Sequence, residues 1–167
     1  IAVLKYYAPV DFSYGFHFEN YDKNIFTPVI REQIRISKSK NAGHYTVYLP
    51  AYGDEAILKI LSKIKNVNWQ VFSKHNKKII IKDNIKIQPI NNEGFVKSLV
   101  NSIGVLCGAG FETPAEALFL KKKLMVIPMK GQFEQKCNAA ALKKMGVPVL
   151  KSLKKKHEGK CTHEGYI

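Results

Sequence analysis

From Tyr45 onward, short apolar runs alternate with helical faces, and this alternation restricts the fold more than any other property of the chain. Residues 45–49 are β-branched and aromatic and stop at Pro50. Ile57, Leu58, Leu61 and Ile64 then recur at i, i+1, i+4 and i+7, one apolar face of a helix that Asp54 is placed to cap. Further strands are expected over residues 69–72, 85–89, 102–107, 124–127 and 147–150, with a short strand or loop over 79–81. Phe95, Val96, Leu99 and Val100 mark a second helical face, and helices are expected over 113–120 and 133–145. Apolar strands joined through helices imply a parallel sheet covered on both faces, an α/β, Rossmann-like architecture.

The first ~36 residues differ. They are rich in aromatics, Tyr6, Tyr7, Phe12, Tyr14, Phe16 and Phe18 among them, with little periodicity, and Pro9 and Pro28 punctuate them. A length of 167 residues suits one domain, or one domain plus part of another. Residues 37–167 are therefore read as one domain, and 1–36 as a hinge or the tail of a neighbouring one. The start lacks a basic leader, a cleavage site and an initiator Met, as expected of a cytoplasmic fragment. No apolar run approaches the roughly 18–20 residues that span a bilayer.

Cys107, Cys137 and Cys161 are odd in number and lack metal-ligand spacing, so reduced thiols are expected, with Cys107 a buried strand residue. The net charge of +14 raises the local concentration of anions. Lys121–Lys123 and Lys151, Lys154, Lys155 and Lys156 are clustered, which suits an anionic membrane surface. Arg31 and Arg35 are the only arginines, and no arginine–aromatic interleaving marks a nucleic-acid platform. The lysine-rich end, 151–167, has weak periodicity and reads as disordered or incomplete.

Two loops carry the chemistry. In the first, Gly108-Ala109-Gly110 permits unusual backbone angles and close approach of a ligand. Thr113 then suits an N-cap and Pro114 the first helical position. A helix start offers free N–H groups and the positive dipole end, so a diphosphate is expected over Gly108, Ala109, Gly110, Phe111, Glu112 and Thr113. Glu116 has two readings. Thr113-Pro-Ala-Glu116 is a capping-box pattern that needs no ligand, and spacing alone favours it. The other reading has Glu116 accepting both ribose hydroxyls of a nucleotide. The second loop holds Lys130, Gln132, Glu134, Gln135 and Asn138 at the exit of the 124–127 strand. Gln132 and Glu134 would serve as first-turn residues, but so many polar groups there are less easily explained by the helix. They suit sugar hydroxyls, and Lys130 suits a phosphate. Adjacent loops at the carboxyl ends of parallel strands form the usual crevice of an open α/β sheet.

Gly110-x-x-Thr113-x-x-Glu116, then Pro128, then Glu134-Gln135-x-x-Asn138, resembles the donor-binding half of GT-B glycosyltransferases, strongly over 105–149. The resemblance extends to plant and macrolide enzymes, to the lipid-linked N-acetylglucosaminyltransferase of peptidoglycan synthesis, and most to a bacterial group. It implies two Rossmann-like domains with the active site between them, of which this chain holds one, the N-terminal acceptor domain being absent. It implies a nucleotide-diphosphate-sugar substrate, UDP-sugar foremost, an acceptor hydroxyl, no other cofactor and no tightly bound metal; no Asp-x-Asp motif is present. By position, Glu116 matches the ribose acid, Gly110 and Thr113 the diphosphate loop, and Glu134, Gln135 and Asn138 the groups that contact the donor sugar. Gly108 stands where many members carry a basic residue. The catalytic base is implied to lie on the absent domain; His17, His44 and His75 sit in no motif and read as surface or packing residues. Such an enzyme is expected in the cytoplasm, peripheral to the inner membrane face. Two other readings stand beside it: a basic nucleic-acid-binding module without catalysis, and a nucleotide-sugar epimerase.

Overall fold

A computed structural model describes residues 11–153. A small parallel pair, β1 (Gly15–Phe16) and β2 (Ile25–Phe26), precedes the one-turn helix α1 (Glu32–Arg35). The main sheet then builds from β3 (His44–Tyr48), α2 (Asp54–Leu61), β4 (Asn68–Ser73), β5 (Ile80–Lys82) and β6 (Ile85–Pro89). It is completed by α3 (Asn92–Asn101), β7 (Gly104–Gly108), α4 (Glu112–Phe119), β8 (Lys123–Ile127) and α5 (Phe133–Lys144). The six strands lie in the order β5-β6-β4-β3-β7-β8. All pairs are parallel except β5–β6, so the expected α/β, Rossmann-like sheet is present.

Alternation along each strand sends side chains to two cores. On one face Val47, Val71, Ile85 and Ile87 pack with Ile57 and Leu61 of α2. On the other, Phe72, Val105, Cys107 and Val126 pack with Phe95 and Leu99 of α3, Ala115 of α4 and Leu142 of α5. Each predicted apolar stripe therefore faces the sheet. Phe18 and Ile34, from the aromatic-rich segment, are buried in this second core.

Two local expectations are corrected, at Asp54 and at 147–150, and the alternative left open at 79–81 resolves to a strand. Asp54 does not cap α2; Gly53 occupies that position, and the Asp54 carboxylate instead accepts the Ser73 hydroxyl at 2.5 Å, tying α2 to the end of β4. The short strand near 79–81 is antiparallel, because Asp83 turns the chain back at φ +52° into register with β6. The strand expected over 147–150 shrinks to one bridge, Val126 with Val149. Pro148 has no N–H to continue a ladder, and only its carbonyl is used, by Val126. The expected disorder of the lysine-rich end beyond Leu153, and Cys161, lie outside the described residues. Among the described residues no helix is long and apolar enough to cross a membrane.

Candidate functional site

Strands β7 and β8 run parallel and in register to their last pair, Gly108 with Ile127, so the loops that follow emerge side by side. In the first loop, α4 begins at Glu112, one residue before the sequence suggests. Its cap is Phe111, at φ −93° and ψ −48°, and no side chain closes the helix start. Thr113 therefore sits inside the first turn, and the capping-box reading of Glu116 fails. The glycines do not use their conformational freedom either: the positive-φ glycines among the described residues are Gly43, Gly131 and Gly146. What they provide is space. A Cβ built on Gly110 meets nothing within 4 Å, and one on Gly108 comes no closer than 3.6 Å, to Gln135 Oε1.

Glu116 is buried to 2% exposure, and its partner lies 85 positions earlier. Arg31 donates from Nε to Glu116 Oε1 at 2.6 Å and from a terminal nitrogen to Oε2 at 2.8 Å, a bidentate fork. Its other terminal nitrogen donates to Asn92 Oδ1 at 2.5 Å, and Asn92 donates to Gln33 at 3.2 Å. The Glu116 hydrogen bonds hold the Arg31 pKa above its ordinary value, partly offset by desolvation, with Glu112 adding a smaller attraction. Arg31 is the residue that sequence reasoning missed. The available signal was its rarity: only two of 27 basic residues are arginine, the type whose planar fork suits a carboxylate.

The second loop turns at Gly131, φ +86°, and enters α5 at Gln132, again with no side-chain cap. Its side chains are less free than the sequence suggests. Gln135 Oε1 accepts the Met129 N–H at 2.9 Å, and Gln135 Nε2 donates to Gln132 Oε1 at 2.7 Å. Asn138 Nδ2 donates to the Ala109 carbonyl at 3.2 Å, stitching α5 to the first loop. Gln135 and Asn138 thus have structural roles that were not foreseen. Lys130 and Glu134 are exposed on the same loop.

The histidines occupy other surroundings. His44 is buried, with Nε2 3.1 Å from both the carbonyl and the hydroxyl of Ser98, and Thr46 lies 2.8 Å from that hydroxyl. Desolvation lowers its pKa. His17 is half-buried beside Glu19, and His75 is exposed. Cys107 is fully buried, and desolvation pushes its thiol pKa well up. Lys122 is not a loose surface cation: its Nζ donates to the Ser102 and Lys40 carbonyls at 2.7 and 2.9 Å.

A six-stranded, mainly parallel sheet whose two carboxyl-end loops converge is a Rossmann-like α/β architecture, the kind that forms each half of a GT-B structure. The chain belongs to glycosyl transferase family 1, whose family model matches residues 7–160. No curated protein matches the chain. Among solved structures, the glycosyltransferase of kitacinnamycin is similar at TM-score 0.53 and 14% identity, over 77% of this chain and 37% of its own. The spinosyn forosaminyltransferase SpnP is similar at 0.52 and 12%, over 78% and 38%. SnogD from Streptomyces nogalater gives 0.49 and 14%, over 74% and 34%. The chain thus spans about a third of the length of these structures. At such identities the first two likenesses concern the fold alone.

Proposed function

We propose that this chain is the donor-binding half of a glycosyltransferase that moves a sugar from a nucleotide-diphosphate-sugar, UDP-sugar foremost, to an acceptor hydroxyl. The observation that carries the proposal is the junction of the two loops: an uncapped helix start, Gly108–Thr113, lies against a polar helix start through Asn138 and Gln135. The diphosphate is assigned to the backbone of Gly108, Ala109, Gly110, Phe111, Glu112 and Thr113, where the α4 dipole supplies positive potential without a basic residue at 108. Lys130, exposed across the gap, adds a cation as charge grows on the leaving group.

The ribose is assigned to Glu116. A carboxylate has about four lone-pair sites, and Arg31 takes two. Access to the buried carboxylate requires its partner Arg31, 39% exposed, to shift. The sugar hydroxyls are assigned to Gln132, Glu134, Gln135 and Asn138. Among the described residues Glu134 makes no such bond, and Asn138 keeps its amide oxygen as an acceptor. The acceptor and the general base belong to a second domain.

Titration calorimetry with UDP, ADP, GDP and dTDP, on wild type and Glu116→Gln, tests this reading. The expected result is binding of one diphosphate, weakened about tenfold in the variant by the loss of one charged hydrogen bond. A folded wild type that binds none of the four would overturn it. An epimerase would instead interconvert a nucleotide-sugar with no acceptor, which a product assay separates.

A further inference from the structure

The sheet edge opposite the two loops carries a feature that donor binding does not use. β5 is an edge strand, and the three isoleucines at and before it point into solvent: Ile79 is 59% exposed, Ile80 46% and Ile81 72%. Successive side chains on a strand leave by opposite faces, so with Ile80 and Ile81 both exposed neither face of β5 is covered by the described residues. Lys74, Lys77, Lys78 and Lys82 are exposed around them, with Asp83 the one acid in the hairpin. Lys86 faces Ile81 across the β5–β6 ladder.

We propose that this hairpin contacts an anionic lipid bilayer. Aliphatic side chains exposed in a row gain by entering the acyl boundary, and a lysine rim gains by meeting acidic headgroups. The same composition disfavours the other occupants of an apolar edge. A second copy pairing antiparallel along β5 about Ile80 would bring Lys78 opposite Lys82, and lysines on an edge oppose such pairing. A nucleic acid would use the lysines but has no partner for three isoleucines. At about 4.8 Å per strand, the four and five spacings from β5 to β7 and β8 put the strand roughly 19–24 Å from the donor loops, so a bilayer there leaves them clear. The proposal does not depend on the donor-site reading, because lipid binding and nucleotide binding are measured separately.

The test is co-sedimentation of the 167-residue chain with vesicles of phosphatidylcholine alone or mixed with phosphatidylglycerol. Circular dichroism confirms that each variant is folded. Wild type should sediment with mixed vesicles and hardly with neutral ones. Ile79→Ser/Ile81→Ser and Lys77→Gln/Lys78→Gln should each weaken binding roughly tenfold. Lys143→Gln/Lys144→Gln, which removes an equally exposed pair from the end of α5, should leave it within about twofold. The proposal is overturned if wild type does not bind mixed vesicles, or if the control pair weakens binding as much as the hairpin pair. It is equally overturned if the isoleucine variant binds like wild type, if RNA displaces the vesicles from wild type but not from the hairpin variants, or if sedimentation velocity shows a wild-type dimer that the isoleucine variant abolishes.

Discussion

The loops after β7 and β8 leave the sheet at the same level and meet, yet they are built in opposite ways. The first is open main chain: α4 starts without a side-chain cap, and Gly110 borders empty space. The second is braced by its own side chains, with Gln135 holding the Met129 amide and Asn138 reaching across to Ala109. An oriented row of amides suits an anion and costs little reorganisation when the anion arrives. A braced loop suits hydroxyl recognition, because its groups are already aimed. The difference teaches that the two loops should fail differently: the first by loss of binding with stability intact, the second by loss of both.

The largest effect is expected behind the loops, at the ion pair that ties α4 to Arg31. Arg31→Ala leaves the buried Glu116 carboxylate without its fork. Breaking a fully buried pair costs about 3–5 kcal/mol; because Arg31 stays 39% exposed and is screened, about 2 kcal/mol is expected here. Urea unfolding measures it. Adding Glu116→Gln should recover part of the loss, since no charge is then buried alone. A double variant no more stable than Arg31→Ala alone would show that the fork does not carry the anchoring. Next in size is Gly110→Val, a substitution into open space. Stability should hold within about 0.5 kcal/mol, while nucleoside diphosphate affinity, read by calorimetry, falls about tenfold because the side chain occupies the ligand's approach. Unchanged affinity would break the comparison, leaving the first loop as a plain connection.

Much of this frame is legible from the chain alone, and the reasons differ by element. The stripe Phe95, Val96, Leu99, Val100 identifies α3 because burial on one helix face is a local pattern. Residues 85–89 coincide with β6 for the same reason. The Arg31–Glu116 fork is illegible because a pair 85 positions apart leaves no periodicity. The capping box at Thr113 misleads because the cap falls two residues earlier, at Phe111, which puts Thr113 in the first turn. The antiparallel course of β5 depends on how Asp83 turns, which composition does not encode. Gln135 and Asn138 read as free ligands because a side chain's bond to a distant backbone group is invisible in spacing.

The second loop should respond to loss of its braces. Gln135→Ala strands the Met129 N–H, a partly buried donor, and should cost about 1 kcal/mol. Asn138→Ala breaks one longer bond, 3.2 Å, and should cost about 0.5 kcal/mol. Thermal unfolding should show a drop of about 2–4 °C for the first and less for the second. Both should also weaken nucleotide-sugar binding more than nucleoside diphosphate binding. Equal weakening of the two ligands would mean that the loop braces the diphosphate site and does not read the sugar.

Acid weakens the sheet without touching either loop, and it gives the smallest expected effect. His44 is buried against Ser98, and desolvation together with Lys122 lowers its pKa below the ordinary 6.5, while its hydrogen bond to the Ser98 carbonyl offsets part of the shift. The unfolded chain therefore binds the proton more tightly than the folded one, so unfolding free energy rises with pH. This contribution is complete above pH 6.5 and is lost as pH falls through the lowered folded value. Urea midpoints at pH 7.5 and 5.5 should differ for wild type, and the gap should shrink in His44→Gln, which keeps a polar group but does not titrate. The folded fraction at pH 5.5 should still bind nucleoside diphosphate through an intact first loop. A pH dependence that survives His44→Gln undiminished would place the sensitive group elsewhere in the chain.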